Sequence, residues 1–184
     1  MFFSVVRLLG AYGLEQQGAY IAKGIYDRGQ PLLQLGNVLT TTFALALVPL
    51  LAGAIAKNEQ QAARGYRDLA LRITLLLGGA ASLGLIIIIE PTNSMLFTDR
   101  NGSDVLTVIA MAIGVSSLYL TTAAILQGYG QAHLPAIAVM IGLVVKLASN
   151  IWLIPKYGTL GAAWATVLAL ATMVLFLFIV LKKN

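Results

Sequence analysis

The sequence contains no cysteine, only one histidine and few charged residues. Without cysteine there can be no disulfide framework, thiolate metal site or cysteine nucleophile. A single histidine, His133, cannot form a multi-histidine metal site. Nucleophile-elbow, zinc-protease, phosphate-loop and dinucleotide-binding motifs are also missing from the sequence. We therefore expect neither an enzyme nor a protein with a metal or other cofactor.

The scarcity of charge excludes a soluble protein. Charged residues make up 10% of the 184 positions, whereas soluble domains carry about 25%. Hydrophobic residues reach 59% and the mean hydropathy is +0.86. Soluble enzymes, secreted disulfide modules and disordered tails are thus unfavoured. The composition predicts an all-α integral membrane protein, whose net charge of +5 faces membrane lipids rather than nucleic acid.

Five apolar stretches are long enough to cross a bilayer, which takes about 20 residues per helix. They predict transmembrane helices at residues 31–56, 73–89, 105–127, 134–154 and 157–181. The polar segment 57–72 predicts a helical extension on the membrane surface. Segment 90–104 is predicted to be a loop, and segments 128–135 and 155–158 are predicted to be tight turns. Residues 31–184 are therefore expected to form one five-helix transmembrane bundle.

Residues 1–30 mix charged and apolar side chains, which predicts an amphipathic helix near Leu14–Ile25 at the membrane interface. Lysine and arginine near span ends favour the cytoplasmic side. One end of the bundle carries Lys57, Arg64, Arg67, Arg72, Lys182 and Lys183, and the other carries Arg7, Lys23, Arg28, Arg100 and Lys156. The first set is the tighter cluster, so we expect it to be cytoplasmic. Residues 1–30 are then extracytoplasmic in a multi-pass protein of the bacterial plasma membrane.

Lys146 lies inside the fourth predicted span, in GLVVKLASN. On membrane-insertion scales, an unpaired ammonium at the bilayer centre costs about 2.5–3.5 kcal/mol. Helical spacing places Gly142, Lys146, Ser149 and Asn150 on one face. Two interpretations stay open: Lys146 is a cation that faces an anionic substrate, or it reaches the interface or a carboxylate.

A polar stripe runs along the start of the first span, at spacings that place its members on one helical face. It consists of Asp27, Gln30, Gln34, Asn37 and Thr41. Such a stripe is typical either of a wall of a hydrophilic cavity or of hydrogen bonds between helices, which average only about 0.6 kcal/mol each in membranes. Charged residues at one end of the stripe favour the cavity wall.

Three runs of sequence resemble a known transporter group in order and spacing. They are YDRGQPLLQLGNVLTTTFALALVPLL (26–51), IIEPTNSMLFTD (88–99) and LQGYGQAHLPAIAVMIGLVVKLASNIWLIPKYGTLGAAWATVLA (126–169). The most specific pieces of the resemblance are GxYDRGQPL, which begins at Gly24, EPxxxxLF and PxxGxxGAAxAT. They are similar to the polysaccharide-transport branch of the MOP exporter superfamily. Within it, the sequence most resembles the stage V sporulation protein B–YtgP group, relatives of the MurJ lipid II flippases.

This resemblance implies a partial MATE- or MurJ-like fold. The whole fold has about fourteen helices in two pseudo-symmetric lobes around a central cavity. The five spans resemble the eighth to twelfth of these helices, and MFFSV at residues 1–5 resembles sequence that follows the seventh. The chain is thus expected to be a fragment whose partner is the missing amino-terminal lobe.

The resemblance also implies a function and a set of binding residues. The expected activity is flipping of lipid II or a lipid-linked oligosaccharide by alternating access. The substrate-binding candidates are Arg28, Asp27, Gln30, Gln34 and Asn37, with Lys146 added on membrane physics alone. The MurJ-like pattern has a glutamate shortly after the arginine, where this chain has glutamines. The alternatives are a multidrug or cation antiporter of the same superfamily, and a five-helix membrane scaffold that binds partners through the small residues at 78–84.

Overall fold

The computed structural model describes residues 16–97 and 102–183, and these residues form six α-helices. They are α1 (Gln16–Asp27), α2 (Gly29–Ala56), α3 (Gln60–Ile87), α4 (Ile89–Phe97), α5 (Ser103–Gly128) and α6 (His133–Lys183). The predicted all-α fold is confirmed. The predicted helix start at Leu14, the segment MFFSV, and Arg7 and Arg100 of the charge pattern lie outside the described residues.

Four helical stretches are long and apolar enough to cross a membrane: Tyr20–Ala56, Gln60–Ile87, Ser103–Gly128 and His133–Lys182. The last one reverses direction at Gly158, where φ is 58° and ψ is −134°. Its two limbs, 133–157 and 159–183, lie side by side, because Gly142 packs against Met173 and Gly161 packs against the backbone of Leu153. Each limb has the length of one crossing. A bundle of about five transmembrane helices is thus confirmed.

Helix α5 forms the centre of the bundle. Helices α2 and α3 pack against it and against each other, and α6 also packs against it. Helix α2 runs parallel to α5, since Gly29 lies against Ile109 and Leu51 lies against Gly128. Helix α3 runs antiparallel to α5, since Thr74 meets Thr121 and Ser82 meets the carbonyl of Ala110. Among the candidate spans, α5 is by far the most buried.

Large aliphatic side chains cover the outside of the bundle. Exposed examples occur on α2, α3 and both limbs of α6, and include Leu35, Leu39, Leu76, Ile87, Met140, Ile151 and Leu175. A water-soluble protein avoids contiguous apolar surface of this kind. In a bilayer the same surface faces lipid tails, which are as apolar as leucine. The exposed surface thus fits the membrane class that the composition predicts.

The prediction of a loop over residues 90–104 is wrong for its first half, because α4 occupies Ile89–Phe97. Pro91 lies in the first turn of α4, where a missing N–H breaks no helical hydrogen bond. The amide of Thr92 donates to the carbonyl of Ile88 at 3.0 Å. The polar segment 57–72 runs into α3 without a break from Gln60 onwards, so α3 extends well beyond its apolar part.

Candidate functional site

The first candidate residues lie where α1 meets α2. Helix α1 ends at Asp27 and α2 begins at Gly29, and Arg28 between them keeps helical torsions. The Lys23 ammonium forms an ion pair with the Asp27 carboxylate one turn away. The Asp27 side chain is 48% exposed, and Arg28 is half-buried. The junction therefore presents an acidic and a basic side chain at the start of a membrane span.

Two close contacts fix this junction on the rest of the bundle. A Cβ on Gly29 would lie only 2.3 Å from the Cδ1 of Ile109, so only glycine lets α2 approach α5 so closely here. The hydroxyl of Tyr26 lies 2.9 Å from the hydroxyl of Thr166 on the second limb of α6. The sequence interpretation did not single out Tyr26 or Thr166. Both, however, lie within the runs that carry the family resemblance.

The polar stripe on α2 divides into exposed and buried members. Gln30, Gln34 and Thr41 are exposed, whereas Asn37 is only 8% exposed. The Asn37 amide donates to the Ser116 hydroxyl at 2.8 Å. Its carbonyl accepts from Ser116 at 3.0 Å and from Ser117 at 3.2 Å. Asn37 thus makes the interhelical hydrogen bonds of one interpretation, and its neighbours leave the cavity wall open as the other.

A crevice of about 390 Å³ runs along the middle of this stripe. Gln34, Asn37 and Thr41 supply polar groups to it, together with Leu33, Val38, Thr42 and Leu120. The Thr41 hydroxyl donates to the backbone carbonyl of Asn37 at 2.8 Å. The Gln34 amide is exposed. The crevice can therefore accept neutral polar groups, such as hydroxyls, beside an apolar surface.

Lys146 is half-buried on the first limb of α6. Within residues 16–97 and 102–183, no hydrogen bond or ion pair involves its ammonium group. Gly142 and Asn150, one turn before and after it, are buried. The side-chain carbonyl of Asn150, a residue that is 4% exposed, has no hydrogen-bond partner in the described part of the chain. This face of α6 thus carries two polar groups that its described neighbours leave unsatisfied.

The structure brings five of the six candidates together and leaves Lys146 apart. Asp27, Arg28, Gln30, Gln34 and Asn37 follow one another along α1 and α2. Within the described helices, α2 and α6 both pack against α5 but not against each other. Lys146 therefore belongs to a second surface of the bundle, separated from the stripe by α5.

Hydroxyl groups join α5 to α3 deep in the bundle. The hydroxyls of Thr74 and Thr121 are 2.6 Å apart, and Ser82 donates to the Ala110 carbonyl at 2.8 Å. A Cβ on Gly78 would lie 2.7 Å from the Cβ of Ser117. Small residues allow this close approach of two membrane helices. Gly78 and Ser82 thus serve contacts within the chain.

No cluster of three or more histidine, cysteine or acidic side chains that could hold a metal ion occurs in residues 16–97 and 102–183. The described carboxylates, Asp27, Glu59, Asp68, Glu90 and Asp104, are all exposed. The chemistry available at the candidate surfaces is therefore that of cations, amides and hydroxyls, together with the Asp27 carboxylate at the junction.

The fold is shared with a solved membrane-protein structure. It superposes on a solved structure, an inward-facing conformation of a multidrug resistance MATE family transporter of the MOP superfamily, with a TM-score of 0.70. The match covers 95% of this chain and 41% of that transporter, at 18% sequence identity. At such a low sequence identity, the structural match shows a shared fold and no more.

Residues 25–184 match the family model of lipid II flippase MurJ. The chain therefore belongs to the MurJ family, and it is a multi-pass protein of the bacterial plasma membrane. The predicted relationship and location are confirmed.

Three curated relatives show how much of a family member the chain represents. The uncharacterized membrane protein YabM of Bacillus subtilis (strain 168) is 42% identical over 178 residues, which are 94% of this chain and 34% of YabM. Lipid II flippase MurJ of the same strain is 26% identical, over 84% of this chain and 29% of MurJ. The probable low-salt glycan biosynthesis flippase Agl15 of Haloferax volcanii is 25% identical, over 92% and 38%. The chain thus spans about a third of the length of these relatives.

Proposed function

We propose that this chain is part of a flippase that moves a lipid-linked cell-wall or polysaccharide precursor, such as lipid II, across the plasma membrane by alternating access. The observation that carries the proposal is the polar face of α2. Arg28 is half-buried immediately before this helix, and the polar face then continues through Gln34 and Asn37 into an open crevice, in a chain that belongs to the MurJ family.

Arg28 is the residue best suited to the pyrophosphate of such a carrier. A guanidinium group offers a planar fork of donors that matches phosphate oxygens. Asp27, its neighbour, is already engaged by the Lys23 ammonium, so its negative charge is partly compensated. The α1–α2 junction can therefore attract an anion although it contains a carboxylate.

The amides below Arg28 suit the sugar part of the substrate. Gln30 and Gln34 are exposed, and each side-chain amide offers both donors and acceptors to hydroxyl groups. Asn37 is committed to Ser116 and Ser117, so we assign it the role of shaping the crevice wall. Lys146 is proposed as a second cationic contact on the α6 surface.

The opposite wall of the cavity would come from polypeptide beyond this sequence, because the curated relatives are about three times as long. Transport would then consist of a rocking movement of one lobe against the other around the bound head group. The surrounding lipids would hold the carrier's polyprenyl tail. No bond is made or broken in such a cycle, so the proposed protein is a transporter and not an enzyme.

A chimaera tests the proposal. In MurJ of Bacillus subtilis, the matching segment is replaced by this chain, and growth is measured after depletion of the endogenous lipid II flippases. We expect the chimaera to support growth and Arg28→Ala to abolish it, because the anion loses its fork of donors. Arg28→Lys should retain part of the activity. Arg72→Ala, which removes an exposed cation from α3, is the matched control and should grow normally.

Membrane levels of each variant are measured by immunoblot. Full growth of Arg28→Ala at normal levels would show that the junction does not bind substrate. An unmodified chimaera that is present in the membrane but supports no growth would exclude a lipid II-like substrate for this segment.

No observation favours the scaffold or the antiporter over the proposed flippase. The scaffold hypothesis needs the small-residue face of α3 as a docking surface, but Gly78 and Ser82 already pack against α5. A cation antiporter of this superfamily is expected to carry acidic groups inside its spans. Every carboxylate among the described residues is exposed, and none lies in the middle of an apolar span.

A further inference from the structure

A second crevice, of about 510 Å³, lies at the other end of the bundle, between the start of α3 and the end of α6. Its walls are apolar and come from Leu71 on α3 and from Phe178, Ile179 and Leu181 on α6. Arg67 and Lys182 line it as well, with Asp68 beside them. None of these residues belongs to the polar stripe or to the surface around Lys146.

The crevice follows from the arrangement of the helices around α5. Helices α3 and α6 both pack against α5, and within the described residues they do not pack against each other. A gap is therefore left between them. The bottom of the gap is well packed. Leu181 there is only 6% exposed and belongs to a buried cluster that includes Ala63 and Ala70.

The two cations lie where the apolar parts of their helices end. Lys182 follows the apolar run of the second limb of α6, and Arg67 precedes the apolar run of α3 that begins near Ile73. Apolar walls below and cations above match an amphiphile with an acyl chain and an anionic head group. Basic pockets between transmembrane helices commonly bind the head groups of acidic lipids.

The carboxylate of Asp68 does not cancel this positive charge. The Nε of Arg67 donates to the Asp68 carboxylate at 2.9 Å, which leaves the other guanidinium N–H groups as donors. The described residues at this end carry the cations Lys57, Arg64, Arg67, Arg72 and Lys182 and the carboxylates Glu59 and Asp68. The local charge is therefore clearly positive.

We propose that this crevice binds an anionic phospholipid of the surrounding leaflet. The phosphate lies between Arg67 and Lys182, and one acyl chain lies along Leu71, Phe178 and Ile179. Charge complementarity selects this occupant over a neutral lipid or an apolar protein helix, because either of those would leave two cations without a counter-charge at the rim. The proposal does not depend on which substrate the transporter moves.

Native mass spectrometry of the purified full-length protein tests the proposal. The protein is equilibrated in detergent with equal amounts of phosphatidylglycerol and phosphatidylcholine, and the retained lipids are counted. We expect wild type to retain phosphatidylglycerol preferentially. The double variant Arg67→Gln/Lys182→Gln should lose this preference by roughly 25-fold, since each basic residue near an anionic surface contributes about fivefold.

The matched control is Lys57→Gln/Arg72→Gln. It removes the same charge from the same end of the bundle, at positions that do not line the crevice, and should keep the preference. An equal loss in both double variants would show diffuse attraction to the whole basic end and would overturn the proposal.

A second measurement uses the wild-type protein, so that the proposal can be tested even if the double variant does not fold. Phosphatidylglycerol with a photoactivatable group on its acyl chain is cross-linked to the protein in vesicles, and the modified peptides are sequenced. We expect adducts on residues 67–71 and 178–182. Adducts that occur only elsewhere overturn the proposal. This includes the case in which another polypeptide segment covers the crevice and keeps the lipid out of it. Full competition by inorganic phosphate would also overturn it, by showing an anion site that needs no lipid.

Discussion

Polar groups on the two sides of α5 differ in whether they form hydrogen bonds within the described residues. On the side of α2 and α3, Asn37 bonds to Ser116 and Ser117, and Thr74 bonds to Thr121. On the side of α6, Lys146 has no described partner and the side-chain carbonyl of Asn150 is buried without one. The groups named on the first side bond to one another, whereas Lys146 and the Asn150 carbonyl find no partner among the described residues.

This difference separates groups that hold the fold together from groups available for another role. A buried polar group without a hydrogen bond costs about 1–3 kcal/mol in mutational data, so such groups rarely persist in structures without a reason. The hydroxyl contacts between α3 and α5 are explained by the close packing of these two helices. Lys146 and Asn150 need a partner that the described residues do not supply. Three substitutions test this comparison.

The largest expected effect is on the satisfied side. Gly78→Leu should lower the free energy of unfolding by about 3 kcal/mol, because the new side chain meets Ser117 at a site already in close contact. The measurement is the thermal unfolding midpoint in detergent. Gly79→Leu is the control, since a Cβ there meets nothing within 4 Å and the gain in helix propensity is the same. Equal midpoints for the two variants would contradict the close packing of α3 on α5.

An intermediate effect is expected at Lys146, in activity rather than in stability. In the MurJ chimaera, Lys146→Met should reduce transport about tenfold and Lys146→Arg much less, because a hydrogen bond to a charged group contributes about 1.5 kcal/mol or more. Val144→Met, at an exposed position on the same helix, is the control. Full activity of both lysine variants would mean that the side chain only reaches towards the interface.

The smallest effect is expected at Asn150. Asn150→Leu should leave the free energy of unfolding unchanged or raise it by up to about 1 kcal/mol, since it removes a buried carbonyl that has no partner to lose. Asn37→Leu is the comparison and should cost about 1–3 kcal/mol, because Ser117 loses its acceptor and Ser116 keeps only the backbone carbonyl of Ile113. If the two variants unfold alike, the two sides of α5 do not differ in the way that their hydrogen bonds indicate.

Much of the fold could be predicted from the sequence, because hydrophobic length alone defines a membrane crossing. The α2 stretch contains no charged residue from Pro31 to Ala56, and the helix covers all of it. The turn PKYG predicted the reversal that occurs at Gly158. Helix α4 was missed because EPTNSMLF has the composition of a loop, although its proline lies in the first helical turn, where it is tolerated.

The candidate site was less predictable. Helical spacing identified the stripe from Asp27 to Thr41, but it could not show that Asn37 faces α5 while Gln34 lines an open crevice. Spacing also placed Lys146 and Asn150 on one face, but it could not show that α5 separates them from the stripe. The roles of all six candidate residues in substrate binding stay predictions.

Hydropathy and the helical period are enough to derive the membrane class, the number of crossings and the polar face of α2 from the amino-acid order. Which polar groups find partners within the bundle depends instead on how the helices pack. Pairs such as Asn37 and Ser116 lie 79 positions apart in the chain. Their contact depends on how two helices cross and on the small residues that let them approach, and neither can be derived from the periodicity of one helix.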